Sequence, residues 1–299
     1  MKSRSIRDWP LHIMLLPSVI TVFIFSYIPM AGIVIAFQKF IPAKGLFGNQ
    51  KWIGLGNFEY MLSMPNIIEV LRNTIVISVG KIILGMVVPI IIALLLNEIK
   101  SKKFKSSVQT IIYFPYFLSW VIFAGVLIDI LSPSSGIVND FLAALGMPRM
   151  FFIGDNSLFQ STLIISDVWK NFGFGTVIYL AAITGIDPTQ YEAAMIDGAG
   201  RWKQTLHITL PGMQMIIILL LVLNLGNVLN AGFDQIFNLY SPTVYATGDV
   251  IDTLVYRIGI LDYQFGPATA VGLFKSLVSF ILITSSYYIA NRFFDYRIF

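Results

Sequence analysis

Residues 191–211, Tyr191-Glu192-Ala193-Ala194-Met195-Ile196-Asp197-Gly198-Ala199-Gly200-Arg201-Trp202-Lys203-Gln204-Thr205-Leu206-His207-Ile208-Thr209-Leu210-Pro211, read as a polar, charged helical hairpin between two long apolar segments. Asp187-Pro188 opens it, because an Asp side chain caps free amides and proline fits the first helical position. A helix over 189–197 then meets Gly198, which permits the left-handed backbone that stops a helix and turns the chain. A second helix is expected from about Arg201 to Pro211, followed by the next apolar segment. Ala193, Ala194 and Ala199 carry little bulk, which suits close insertion into a cleft on another protein.

The surroundings are apolar. The 299 residues are 56% hydrophobic and 12% charged, with a mean hydropathy of +0.77; in soluble domains charged residues make up about a quarter. Six segments, about 11–35, 73–97, 107–131, 161–183, 213–231 and 267–290, are long enough to cross a hydrocarbon layer about 30 Å thick. The expected fold is therefore an all-α membrane protein, a single transmembrane domain over 1–299 with six transmembrane helices and the polar hairpin between spans four and five. Lys2, Arg4 and Arg7 precede an apolar run longer than a signal-peptide core, which contains Pro17 and Pro29 and lacks a clear small-x-small cleavage site. It reads as an uncleaved first span. With no cysteine, disulfides and thiolate metal sites are excluded. The net charge of +4 fits loop bias in a membrane protein better than nucleic-acid binding.

Lys and Arg set the orientation. Lys100, Lys102, Lys103 and Lys105, then Arg201 and Lys203, then Arg292 and Arg297 fall on the same side as the basic N-terminus in a six-span chain. That side is assigned to the cytoplasm, with both termini there. The opposite side carries 36–72, 132–160 and the acidic 232–266, although Lys39, Lys44 and Lys51 blur the bias. Between Gly136 and Gly146 a short amphipathic helix is expected, with Ile137, Val138, Phe141, Leu142 and Leu145 on its apolar side. Packing over helix ends and contact with an outside partner are both open to it.

Charges inside spans mark a pathway, a partner or a side chain snorkelling to water. Lys81, Lys170 and Lys275 each sit about 12 Å deep from the outer end of their spans. On span four, Asp167, Lys170, Asn171 and Phe174 share one helical face. Either Asp167 pairs with Lys170, or the face lines a cavity in which Trp169 or Phe174 stacks on a ring. On span five, Asn224, Asn227, Asn230 and Asp234 fall within an arc of roughly 120° if the helix continues through them. Amides of this kind also glue helices together in lipid.

The spacing Glu192-Ala193-Ala194, Gly198 and Ile208-Thr209-Leu210-Pro211 resembles the cytoplasmic coupling loop of permeases driven by ATP-binding-cassette subunits. Leu16-Pro17, Tyr27-Ile28-Pro29, the segment Trp52-Ile53-Gly54-Leu55-Gly56-Asn57-Phe58 and Asn73-Thr74 extend the likeness over most of the chain. The whole is similar to permease subunits of bacterial type I ABC importers for sugars, in the complex-oligosaccharide branch. That resemblance implies a multi-pass protein of the bacterial plasma membrane in a heterodimer with a second permease. It also implies two ATPase subunits that carry ATP and Mg, and an extracellular solute-binding protein. Glu192, Ala193, Ala194, Asp197, Gly198 and Ala199 would couple to the ATPase, with Glu192 pairing a basic group there. The solute would be lined by Lys170, Asn171, Phe174, Asn224, Asn227 and Asn230. One departure stands out: many relatives carry Phe where this chain has Thr205 and Leu206, and Trp202 is the aromatic nearest that role.

Two other classes compete. An ion-coupled secondary transporter would show inverted repeats and broken helices around an ion site. A membrane-embedded lipid or glycan enzyme would need acid–base or metal groups, yet the histidines are His12 and His207 alone, with no metal-binding spacing around them. No Gly-x-x-x-x-Gly-Lys-Ser/Thr loop occurs, so ATP is expected on separate subunits and no cofactor or metal in this chain.

Overall fold

The computed structural model describes residues 9–46 and 48–294, so Lys2, Arg4, Arg7 and Arg297, used above for orientation, lie outside the described residues. The chain divides into two compact units, Met1–Met64 with Val255–Phe274, and Pro65–Leu254 with Lys275–Phe299.

In the first unit, α1 runs through the apolar Leu11–Phe37 and changes its winding on the way. Phe23–Tyr27 is a π-helical turn and Ile28–Phe37 a tighter 3₁₀ stretch with Pro29 at its start, where a missing amide donor is tolerated. Strand β1 (Gln38–Lys39) pairs antiparallel with β2 (Lys51–Trp52), and α2 (Gly56–Ser63) follows. Buried Asn57 fastens these pieces: its Nδ2 donates to the carbonyls of Ala36 (2.8 Å) and Gln38 (3.0 Å), where α1 ends and the strand begins. Phe37 stacks on Trp52 with ring centroids 5.8 Å apart. The Trp52–Phe58 segment is thus a structural corner.

The second unit is organised by α3 (Ile67–Glu98) and α7 (Asn156–Thr184), which pack against each other more extensively than any other pair of elements. One apolar core joins Ile77 of α3 and Phe159 and Leu163 of α7 to Phe123 and Leu127 of α5 (Trp120–Ile130) and Ile236 of α10 (Phe233–Leu239). A second core, nearer the other ends of these helices, gathers Ala93, Tyr179, Ile183 and Met213. Helix α11 (Phe265–Phe294) is the last among the described residues.

Among the described residues, four helices are long and apolar enough to cross a membrane, Leu11–Phe37, Ile67–Glu98, Arg201–Gly226 and Phe265–Ile289; a bent pair makes a fifth. Helix α7, at 29 residues, spans about 43 Å and is long enough, but its polar residues keep it below that apolarity. The third expected span, 107–131, is not one helix. Its two parts, Lys102–Phe117 and Trp120–Ile130, meet at 106°. Pro115 has no amide to donate, Leu118 is extended, and Ser119 starts a new helix by accepting from the Ile122 amide at 3.3 Å. Helix α4 is therefore Lys102–Tyr113 and continues as a 3₁₀ turn to Phe117.

The fifth expected span also shifts. Helix α9 runs unbroken from Arg201 to Gly226, so the second arm of the hairpin and the next span are one element. A π turn at Thr205–Thr209 lies just before Pro211 and accommodates the missing donor. Past Gly226 the chain leaves the helix and Asp234 falls in the separate α10, so the arc drawn through Asn224, Asn227, Asn230 and Asp234 has no single helix beneath it.

The short helix expected between Gly136 and Gly146 forms as α6 (Ile137–Ala144), and Gly146 at φ 77° ends it. Buried Asn139 fixes its loop by donating to Leu131, Ser132 and Met150 carbonyls and accepting from the Met150 amide. Val138 and Leu142 are half-buried, while Ile137, Phe141 and Leu145 face outward.

Candidate solute cavity and coupling hairpin

A polar cavity of about 300 Å³ opens within the second unit, between α3, α7 and the α9–α10 connection. Lys81 and Ser78 line it from α3, Asp167 and Asn171 from α7, and Asn224, Asn227 and Asn230 from the third side. Asn224 is the one asparagine on α9. Asn227 sits at the helix terminus and Asn230 in the turn beyond it, where the Asn230 amide donates to the Asn227 carbonyl at 2.8 Å. The turn beyond α9, and not a continuing helix, brings Asn227 and Asn230 to the wall that Asn224 lines.

Two of the residues expected here are elsewhere. Lys170 is 7% exposed, and its Nζ donates to the Tyr116 carbonyl at 3.0 Å, between the rings of Tyr116 and Trp120. Phe174 stacks flat on Tyr116, with centroids 4.4 Å apart. Both serve the joint between α7 and the bend of the broken third span, and neither lines the cavity. The three intramembrane lysines have separate surroundings, since Lys275 pairs with Asp252. Asp167 pairs with Lys81 at 3.5 Å and not with Lys170.

Lys81 is the residue that sequence reasoning placed at depth without a role. It donates to the Ala231 carbonyl at 2.6 Å and to Gln235 Oε1. Gln235 is itself fully buried and donates to the Leu163 carbonyl and Ser166 Oγ. Gly232 makes room: at φ 92° it adopts a backbone that other residues rarely take, and a Cβ there would lie 3.1 Å from Lys81 Nζ.

The hairpin forms at the other end of α7. Asp187 accepts from the Thr189 amide at 3.0 Å and caps α8 (Pro188–Ile196). That backbone bond, with the Thr189 side chain second, holds the Asp187 carboxyl below its ordinary value. Gly198 turns the chain at φ 74°, with its amide on the Met195 carbonyl and that of Ala199 on Ala194 (2.8 Å), a closure that needs a left-handed residue. Arg201 Nη1 then bridges to Glu98 Oε2 at 2.7 Å, fastening the start of α9 to the end of α3.

Helix α8 buries none of its residues. Glu192, Ala193, Asp197 and Gly198 are exposed, and Ala194 and Ala199 half-buried. Ile196 (87% exposed) and Trp202 (74%) are large apolar groups in the open on either side of the Gly198 turn.

Long apolar helices enclosing a polar cavity, with a capped hairpin projecting from one end, define a membrane permease. The chain belongs to the family of binding-protein-dependent transport system inner membrane components, whose model matches residues 85–297. It is 39% identical over 290 residues to the polygalacturonan/rhamnogalacturonan transport system permease protein YteP of Bacillus subtilis (strain 168), covering 97% of this chain and 90% of that one. It is 37% identical to protein LplB of the same organism, covering 96% and 90%. Among solved structures it is similar to a chain of a bacterial ABC transporter involved in the import of the acidic polysaccharide alginate, at 40% identity, TM-score 0.88 and 96% coverage of each chain. A second match at TM-score 0.88, 39% identical and covering 96% and 95%, is the alginate transporter in complex with an alginate pentasaccharide-bound periplasmic protein.

Proposed function

We propose that this chain is one of two permease subunits of an ATP-driven oligosaccharide importer, and that the cavity between α3, α7 and the α9–α10 connection lines the sugar's path. A second permease completes the heterodimer. Two ATP-binding-cassette subunits carry ATP and Mg and do the hydrolysis, while an extracellular binding protein delivers the sugar. The whole chain acts as one transmembrane domain with six crossings of the bacterial plasma membrane, counting α7 and the bent pair. The N-terminus, 98–106, 187–210 and the C-terminus are cytoplasmic, and 36–72, 132–160 and 232–266 are outside.

The observation that carries this reading is the convergence of Asn171, Asn224, Asn227 and Asn230 on one cavity. Each amide offers a carbonyl acceptor and two N–H donors, matching hydroxyls that both donate and accept. In lipid, such groups have reason to point inward only where something polar meets them. The relatives named for polygalacturonan, rhamnogalacturonan and alginate add support for a saccharide.

Alternating access supplies the mechanism. ATP binding closes the cassette subunits around the α8 turns, with Glu192 against a basic group and Ala193, Ala194, Asp197, Gly198 and Ala199 fitting the cleft. The movement enters α9 at Arg201 and reaches the cavity at Asn224. Asn224→Ala and Asn227→Ala, in the complex reconstituted with its binding protein, test the path. Sugar-dependent transport is expected to fall at least about fivefold while basal ATPase activity persists. Assembled variants that transport normally would place the path elsewhere.

A further inference from the structure

The ammonium of Lys81 has three donors and two of them are taken by neutral acceptors, the Ala231 carbonyl and Gln235 Oε1. These fix the side chain in the cavity wall without neutralising it. The third donor faces Asp167, whose carboxylate is 3.5 Å away; charge-assisted N–H···O bonds close to about 2.7–2.9 Å. The pair attracts across the cavity edge but is not a closed hydrogen bond.

Ser78, one helical turn from Lys81 on α3, lines the same cavity. The residue is 3% exposed, and its hydroxyl is buried with no hydrogen-bond partner. Hydroxyls buried in a helix ordinarily bond back to the preceding turn, as Thr74 does to Val70 (2.7 Å) and Thr176 to Phe172 (2.7 Å). An unpaired buried hydroxyl costs free energy unless something else fills the role.

We propose that Ser78 and Lys81 form a carboxylate subsite in this cavity, which receives a uronate group of the transported oligosaccharide, and that Asp167 is the built-in competitor for it. This rests on the cavity being the sugar's path. The uronate takes the third Lys81 donor and the Ser78 hydroxyl, and Asp167 turns to Asn171, one helical turn along α7. A neutral sugar meets Lys81 and Asp167 still paired and gains nothing from either. Asp167 keeps the subsite reversible: with a carboxylate waiting to take the cation back, the uronate is released, where an unopposed buried lysine would hold it. The site thereby selects acidic sugars while remaining able to let go of them.

Equilibrium binding of trigalacturonate and of its carboxyl-reduced neutral counterpart to the assembled permease–ATPase complex tests this, without the binding protein, whose own selectivity would intrude. Asp167→Asn is expected to tighten trigalacturonate binding about tenfold and leave the neutral sugar unchanged. Ser78→Ala and Lys81→Met should weaken trigalacturonate selectively; the serine variant keeps the test alive if the lysine variant does not assemble. Equal changes for both sugars, or none for either, would overturn the subsite. If the neutral sugar does not bind, or Asn227→Ala leaves it bound as before, the cavity reading itself fails.

Discussion

Lys170 and Tyr116 lock the bend of the broken span to α7: the lysine Nζ donates to the tyrosine carbonyl at 3.0 Å and lies 5.5 Å from the centre of its ring. Phe174 covers the same ring from one turn further along α7. An intramembrane lysine here braces backbone that a kink left without helical partners. Lys170→Met leaves the Tyr116 carbonyl unpaired and is expected to cost about 1–3 kcal/mol. Thermal unfolding in detergent would show the loss, while the ratio of acidic to neutral sugar binding stays where it was. A changed ratio with unchanged stability would return Lys170 to the solute path.

Gly232→Ala brings two penalties together. The φ of 92° disfavours any side chain, and the new Cβ lies 3.1 Å from Lys81 Nζ. Backbone strain of about 1–3 kcal/mol is expected, along with weaker binding of trigalacturonate as the ammonium is pushed from its place. Unfolding and sugar binding measured on one preparation separate the two effects.

At the hairpin, Gly198→Pro cannot keep φ 74° and removes the amide that closes on Met195. Glu192→Arg reverses an exposed charge without touching the turn. Both are expected to reach the membrane and to lose co-purification with the ATPase and sugar uptake together. Normal uptake by both would separate this hairpin from coupling.

Asn57→Ala opens the corner of the first unit, removing the donor to Ala36 and Gln38 in a buried site. About 1–3 kcal/mol of destabilisation is expected, with faster hydrogen exchange concentrated at 35–38. Faster exchange spread evenly over the protein would count against a local role.

Orientation is open to labelling, because the chain has no cysteine of its own. Lys203→Cys should resist an impermeant thiol reagent added to whole cells and react in inside-out vesicles.

Local chemistry was readable where it was self-contained. The Asp187 cap and the Gly198 turn need only their neighbours, and the sequence shows both. Hydropathy located the apolar stretches but could not tell a continuous helix from a folded one; Pro115 and Ser119, a missing donor followed by a capping hydroxyl, were the signal for the 106° break. The asparagines of the cavity were singled out by helical periodicity, yet Asn227 and Asn230 reach it through a turn. Lys170 and Lys81 look alike in sequence, each a lysine at similar depth in an expected span. What separates them is which distant backbone carbonyl comes near, Tyr116 for one and Ala231 for the other, and that depends on packing between elements far apart in the chain.

The π turn at Thr205–Thr209 fixes an angular phase. Helix α9 is a rod of 26 residues, about 39 Å long, anchored through Arg201 to Glu98 near one end and presenting Asn224 near the other. Each residue advances a helix by about 100°, and a π turn holds one residue more than its α-helical equivalent. Winding the same 26 residues as regular α-helix throughout would leave the rod almost as long but twist its far end by about that angle. The two ends of the second unit are thus set like gears on one shaft, meshed by a single extra residue.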